Sequence, residues 1–222
     1  MTAPRIFLIH ATPVAVEPIN QAFARLWPEA ELANLLEDAL SRDLAAEGRL
    51  TAALRERFLA LARYADGAGA DGILFTCSAF GEAIEQCQQA LSIPVLKPNQ
   101  AMIEEAVAQA RRIAILASFE PSIGSMSEEF HAHAAAVGKS LQLSAFVCPE
   151  AMQALRAGDA PRHDALLAEM AARIEGVDII CFAQFSMVSA LPAVRAVSAV
   201  PVLATTDSAV LGMRQALTAQ RR

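Results

Sequence analysis

A thiol flanked by two hydroxyls, Thr76-Cys77-Ser78, closes an apolar run of strand length, Ala70-Asp71-Gly72-Ile73-Leu74-Phe75. Gly81 follows, and then a stretch that reads as a helix from Glu82 to Ala90. A short buried strand that delivers a thiol to a sheet end is a place for chemistry, because ligands of parallel α/β sheets collect outside the carboxyl ends of the strands. A free thiol has a pKa of about 8.5, which helix N-termini and nearby donors lower. The helix after Gly81 is expected to act on Cys77 in this way. As a thiolate, Cys77 abstracts a proton or attacks an alkene; as a thiol, it protonates a carbanion. The plainer reading of an unpaired cysteine is a small, buried core residue.

The elements that must position this tip follow from hydrophobic periodicity. Strands are expected at Arg5–Ile9, Glu31–Leu36, Asp71–Cys77, Ile93–Leu96, Arg112–Leu116, Leu141–Val147, Val177–Phe182 and Val200–Ala204. Helices are expected at Glu17–Trp27, Leu50–Ala65, Glu82–Ala90, Asn99–Ala110, Ile123–Val137, Arg162–Ile174, Met187–Val197 and Ser208–Ala219. Pro192 must sit early in its helix or bend it. Thr206 or Asp207 is the expected cap of the last one. Asp38 to Gly48 is polar and mixed, a loop or short helix near the site, with Asp38 and Asp43 on its surface or capping it.

The pattern then starts again. Arg112-Ile113-Ala114-Ile115-Leu116 echoes Arg5-Ile6-Phe7-Leu8-Ile9, Asp178-Ile179-Ile180 echoes Asp71-Gly72-Ile73, and Pro201-Val202-Leu203 echoes Pro94-Val95-Leu96, each 107 residues later. One shared offset implies a duplicated α/β protein. The expected architecture is two pseudo-symmetric lobes, each a parallel sheet flanked by helices, with an active-site cleft between them. The lobes are drawn as residues 1–97 and 98–222, with the C-terminal helix free to cross over. The period is too long for a solenoid.

The offset carries Cys77 onto Gln184, an amide. Cys181 lies three residues earlier, on the opposite face of its strand, and reads as core. The exit loops of the first strands also correspond: His10-Ala11-Thr12 matches Ala117-Ser118-Phe119. They are expected to offer hydroxyls and backbone N–H groups to an anionic substrate, with helix N-termini close by. His10 reads equally as a loop histidine bonded to backbone and as an acid or base, since histidine titrates near neutrality. Gln184 reads as a hydrogen-bond donor to substrate or as a space filler. His131, His133 and His163 read as solvated helix residues.

Composition excludes other classes. The 222 residues are 55% hydrophobic but only 5% aromatic, as expected of aliphatic helices packed on parallel sheets. Net charge is −6 and the basic residues form no block, which argues against nucleic acid and anionic membrane as partners. No apolar run reaches the roughly 18 residues of a membrane span. Cys77, Cys87, Cys148 and Cys181 show no CxxC spacing, so neither a structural zinc nor any other metal is expected. With no export signal before the first strand, free thiols in a reducing cytoplasm are expected. Neither a GxGxxG nor a GxxxxGK[ST] loop follows the first strand, which argues against nucleotide binding. If the chain assembles, a homodimer is the commonest arrangement.

The Thr76-Cys77-Ser78 tip, the Ile115-Leu116-Ala117-Ser118 segment and Ala183-Gln184-Phe185-Ser186-Met187 together resemble the aspartate/glutamate (hydantoin) racemase superfamily, relatives of maleate isomerase and arylmalonate decarboxylase. The resemblance spans almost the whole chain. It implies a cofactor-independent racemase or isomerase in which two cysteines serve opposite faces of a substrate α-carbon. The substrate would be a small carboxylate, amino acid or hydantoin-like compound. It implies Cys77 and Gln184 at the two catalytic positions. It implies substrate contacts from Thr76, Ser78 and Ser118, with Ser122 and Ser186 as further carry-overs, beside His10 and Thr12 of the first exit loop. Gln184 departs from the pattern, since an amide is neither acid nor base near neutral pH. Two alternatives therefore stand beside racemisation: a single-cysteine decarboxylase or lyase of the arylmalonate type, and a non-catalytic protein that binds small carboxylates.

Overall fold

The computed structural model describes residues 3–220. Eight strands form two four-stranded sheets. The first contains β1 (Arg5–His10), β2 (Glu31–Leu36), β3 (Gly72–Phe75) and β4 (Val95–Leu96), in the order β2-β1-β3-β4. The second contains β5 (Arg112–Ala117), β6 (Gln142–Val147), β7 (Ile179–Phe182) and β8 (Val202–Leu203), in the order β6-β5-β7-β8. All pairings are parallel. The central strands are buried on both faces and are accordingly continuous apolar runs, RIFLIH, GILF, RIAILA and IICF. The edge strands β2 and β6 alternate with polar residues and stay partly exposed.

The repeat is exact in register at the sheet centres. Ile6 pairs with Gly72 and Ile113 with Ile179; Ile73 pairs with Val95 and Ile180 with Val202. At the edge it slips: Arg5 faces Glu31, whereas Arg112 faces Gln142, four residues beyond the shared offset. The insertion lies in the connection before β6.

The helices are α1 (Val16–Leu26), α2 (Ala39–Glu47), α3 (Ala52–Gly67), α4 (Gly81–Ala90), α5 (Gln100–Gln109), α6 (Ser122–Ala136), α7 (Pro149–Arg156), α8 (Ala160–Ala171), α9 (Leu191–Val197) and α10 (Thr205–Gln220). The Asp38–Gly48 stretch is thus a helix, closed by Gly48 in the left-handed conformation at φ 66°. No helix was expected at α7, which starts on Pro149. The expected Met187–Val197 helix divides into a 3-10 turn, Phe185–Ala190, and α9, with Pro192 in the first turn of α9 where it displaces no hydrogen bond. Helix α10 begins at Thr205, so Thr206 and Asp207 lie inside its first turn and do not cap it; the Asp207 carboxylate still complements the helix dipole there.

The described residues divide into two compact units. One runs to Pro98 and includes residues from Ala209 onward; the other is Asn99–Ser208. Residues 209–220 therefore leave the 98–222 lobe that the repeat marks out. In the first unit, Phe58 of α3 packs on Phe75 and Phe80 at ring-centroid distances of 5.2 and 4.4 Å, beside the strand that leads to Cys77. In the second unit, α5 and α6 cover the face with Ile113, Ile115 and Cys181, while α7, α8 and α9 cover the face with Leu116, Ile180 and Phe182. That is a doubly wound arrangement.

Candidate active site

β3 ends at Phe75, and Thr76 and Cys77 continue it in extended geometry. Cys77 (φ −121°, ψ 120°) precedes a 3-10 turn, Ser78–Phe80, that leads directly into α4. Cys77 is half-buried, whereas Cys87, Cys148 and Cys181 are buried. Its side chain makes no capping hydrogen bond to that turn, though the Ala79 N–H and the Ser41 hydroxyl are near enough to act on its pKa. Burial nevertheless pushes its pKa up from the ordinary 9.0, and the two donors pull it only part of the way back. This reverses the expectation of a helix-lowered thiol. Desolvation of the charged form outweighs the influence of the two nearby donors.

Behind it lies a polar chain. His10, the last residue of β1, is fully buried. Its Nδ1 is 2.8 Å from Thr76 Oγ1, and its Nε2 is 2.9 Å from Asn34 Oδ1. The Asn34 amide donates its Nδ2 to Asn20 Oδ1 at 3.2 Å, which leaves Oδ1 as the acceptor facing His10. Nε2 therefore carries the imidazole proton, and Nδ1 accepts from the Thr76 hydroxyl. Burial lowers the His10 pKa, while the bond to Asn34 raises it. The neutral ring and the committed Thr76 proton make this pair a brace for the strand tip.

In the second unit, Gln184 (φ −135°, ψ 146°) holds the place of Cys77, before the Phe185–Ala190 turn. Its Oε1 accepts the Ser118 N–H at 2.9 Å and the Ser118 hydroxyl at 3.2 Å. Both donors fix the amide orientation. Its Nε2 is buried and has no partner among the described residues. Ser78 follows Cys77 and is buried, as are Ser118, Ser122 at the start of α6, and Ser186 in the turn after Gln184. Thr12 is half-buried ahead of the Pro13–Ala15 turn, with no side-chain capping bond. Hydrogen bonds thus bring His10 to Thr76 and Ser118 to Gln184.

Two contributors carry no signal in the sequence: Ser41 on α2 and Asn34 on β2. Two buried polar side chains near the ends of β4 and β8, Asn99 and Thr205, also have unpartnered atoms among the described residues. His163 is not solvated. It is fully buried on α8, with Nδ1 2.7 Å from Asp164 Oδ1, which also accepts the Ser189 hydroxyl at 2.8 Å. Its place beside Leu167 and Ala171, four and eight residues on, gives it the inward face. Cys181 is core, and burial holds its thiol far above the ordinary value. No group of three metal-ligating side chains occurs among the described residues, and no described helix is long and apolar enough to cross a membrane.

The fold and this tip define a duplicated parallel α/β protein with a thiol at the carboxyl end of one central strand and a clamped amide at the same place in the other. The chain belongs to the Asp/Glu/hydantoin racemase family, whose family model matches residues 10–211. Similar solved structures include a glutamate racemase from Bacillus anthracis (TM-score 0.75, 11% identity, covering 99% of this chain and 84% of that one). An allantoin racemase from Klebsiella pneumoniae gives 0.74 at 18% identity, covering 98% and 89%. An aspartate racemase homologue from Pyrococcus horikoshii gives 0.72 at 14% identity, covering 98% and 100%. At these identities the likeness is one of fold. Comparison with curated protein sequences finds no match.

Proposed function

We propose that the chain is a racemase-type isomerase that moves a proton at the α-carbon of a small carboxylate, amino acid or hydantoin-like substrate, with the Cys77 thiol as the group that carries the proton and no cofactor. The observation that supports this most is the setting of Cys77: half-buried in extended geometry just beyond the end of β3, before the turn that leads into α4. The burial that keeps the thiol protonated also makes its thiolate the stronger base. A weak carbon acid needs such a base, and its carbanion needs such a proton donor. The test is exchange of substrate α-protons with deuterated water, followed by NMR over small carboxylic acids and hydantoins. Cys77→Ala is expected to slow exchange by about 10²-fold or more. Undiminished exchange overturns the reading.

Gln184 favours a second reading, a one-thiol decarboxylase or lyase. An amide donor clamped by Ser118 can hold a developing oxyanion but cannot return a proton. Carbon dioxide release from malonate-type acids, with proton uptake on one face, selects it. A racemised product rejects it.

A further inference from the structure

Asn99, the residue before α5, is 1% exposed, yet neither its Oδ1 nor its Nδ2 has a partner among the described residues. The same is true of the Thr205 hydroxyl at the start of α10, also 1% exposed. Buried polar groups are bonded as a rule, and leaving one unbonded costs stability. Asn99 does not cap its own helix. Asparagine is among the preferred N-caps, but a capping residue takes extended backbone. Asn99 lies in the right-handed region at φ −98°, ψ −10°, with no side-chain bond to the first turn. Elsewhere the chain makes such caps: Thr51 accepts the Leu54 N–H and Asp159 the Arg162 N–H.

Both residues lie at the carboxyl end of the second sheet. Helix α5 ends on Gln109 and β5 begins at Arg112, and α5 packs on the face that holds Ile113 and Cys181. The helix therefore runs against the strands, and its first turn stands at the end where Ser118 and Gln184 follow β5 and β7. Thr205 reaches that end directly, two residues beyond β8, which pairs with β7 in parallel. The first turn of α10 touches α5, where the Ser208 hydroxyl donates to Glu105 at 3.1 Å. Gln184 Nε2, likewise unpartnered among the described residues, belongs to the same end. Ligands of parallel α/β sheets collect there.

The two idle atoms of Asn99 select the ligand. A carboxylate only accepts hydrogen bonds. It would satisfy Nδ2 and leave Oδ1 buried beside an anion. A neutral group with an N–H next to its C=O satisfies both atoms at once, whichever way the Asn99 amide is turned. We propose that Asn99 is a substrate-recognising residue that pairs edge to edge with an amide or ureido group. The Asn99 N–H donates to the ligand carbonyl, the Asn99 carbonyl accepts the ligand N–H, and the Thr205 hydroxyl is a further partner at the same sheet end. This rests on the racemase-type reading above and narrows it. Among small carboxylates, amino acids and hydantoin-like compounds, it selects those with an N–H/C=O edge over those whose only polar groups are carboxylates.

The test is binding of hydantoin and of malonate to the whole chain by isothermal titration calorimetry. Hydantoin carries the edge, and malonate carries only carboxylates. Wild type is expected to bind hydantoin. Asn99→Leu, close in size but without either polar atom, is expected to bind it at least about tenfold more weakly, as loss of two hydrogen bonds requires. Malonate affinity is expected to be the same in both, which general damage to the site would not leave intact. Asn99→Asp, isosteric but without the N–H, is expected to weaken hydantoin as well, and it carries the comparison if the leucine variant does not fold. Failure of hydantoin to bind wild type, undiminished hydantoin affinity in the variants, or an equal loss for malonate overturns the proposal. The two readings fail separately. Hydantoin affinity lost in Asn99→Leu beside retained α-proton exchange in Cys77→Ala removes the proton-transfer role and leaves Asn99 as a binding residue; the converse pair of results removes Asn99 alone.

Discussion

Cys77 and Gln184 occupy one structural position twice. Each follows the third strand of its sheet in extended geometry, each precedes a 3-10 turn, and the strands beneath them pair in the same register 107 residues apart. Their surroundings differ in kind. Burial raises the pKa of the thiol, whereas the amide has its oxygen clamped by Ser118 and its N–H₂ group without a partner among the described residues. The brace behind them differs too: His10 and Thr76 correspond to Ala117 and Ala183, both fully buried alanines. Polar machinery is concentrated in the first unit, and the second retains one oriented amide.

On the second, decarboxylase or lyase, reading, Gln184 holds a developing oxyanion. Gln184→Leu is therefore expected to lower kcat by about 10²-fold, the size found for loss of one such donor. Ser118→Ala removes the 3.2 Å hydroxyl bond but keeps the 2.9 Å backbone bond, so its loss is expected to be smaller. The stability of Gln184→Leu should stay within about 1 kcal/mol of wild type, because relief of the buried N–H₂ offsets the Ser118 N–H left unpaired. Steady-state kinetics and thermal unfolding of the two variants check both points. A larger effect in Ser118→Ala than in Gln184→Leu would contradict the assignment.

His10 sets an acid limit on stability. Its folded pKa lies below the ordinary 6.5 because burial disfavours the imidazolium. Above 6.5 the ring is neutral in both states and the His10 bonds contribute fully. As pH falls below 6.5 the unfolded chain takes up a proton that the folded chain resists, and stability is lost until the folded pKa is passed. The melting temperature is expected to fall between about pH 7 and pH 5 more steeply in wild type than in His10→Gln. Parallel curves would mean that His10 is not the responsible group.

Much of this arrangement was legible in the residues. Glu31–Leu36 forms the strand its composition indicates, and the 107-residue offset alone puts Gln184 at the place of Cys77. What escaped was decided by long-range partners. Ser41 is one polar residue among many on a short helix, and its meaning comes from the Ala11 carbonyl 30 residues away. Asn34 fixes the His10 proton from an edge strand whose alternation looks ordinary. The Cys77 pKa was expected in the wrong direction because sequence displays the following helix but not the dehydration of the tip. Burial of His163 was written in its spacing from Leu167 and Ala171, but the charged neighbours Arg162 and Asp164 masked it.

Asp178 ties the start of β7 to β5 and provides a second, lower acid limit. It accepts the Arg111 and Arg112 N–H groups at 3.1 and 2.8 Å and the Arg112 guanidinium at 2.6 Å, which together hold its carboxyl down to about 2. A depressed carboxylate contributes stability above its ordinary 3.8 that is lost as pH falls through about 2. Asp178→Asn is expected to melt lower than wild type at neutral pH, with the difference disappearing below about pH 2. Because the pair is exposed, salt is expected to shrink the ion-pair part of the difference and leave the backbone hydrogen bonds. Thermal melts at low and high salt make the measurement.

Gly72 shows why the repeat could not keep one residue type at the start of its third strands. Its counterpart is Ile179, yet a Cβ at position 72 would lie 2.7 Å from Met213 Sδ and 3.5 Å from both Met213 Cε and the Pro94 carbonyl. Met213, fully buried on α10, belongs to the part of that helix that joins the first unit, and the missing side chain at 72 is the space it uses. Gly72→Ala is expected to destabilise the chain by about 1–3 kcal/mol through overpacking. The contact is with a flexible thioether, so Gly72→Ala combined with Met213→Ala should be more stable than the sum of the two single losses. A double-mutant cycle by urea denaturation measures the coupling. Strict additivity would show that α10 does not owe its seat on β3 to this glycine.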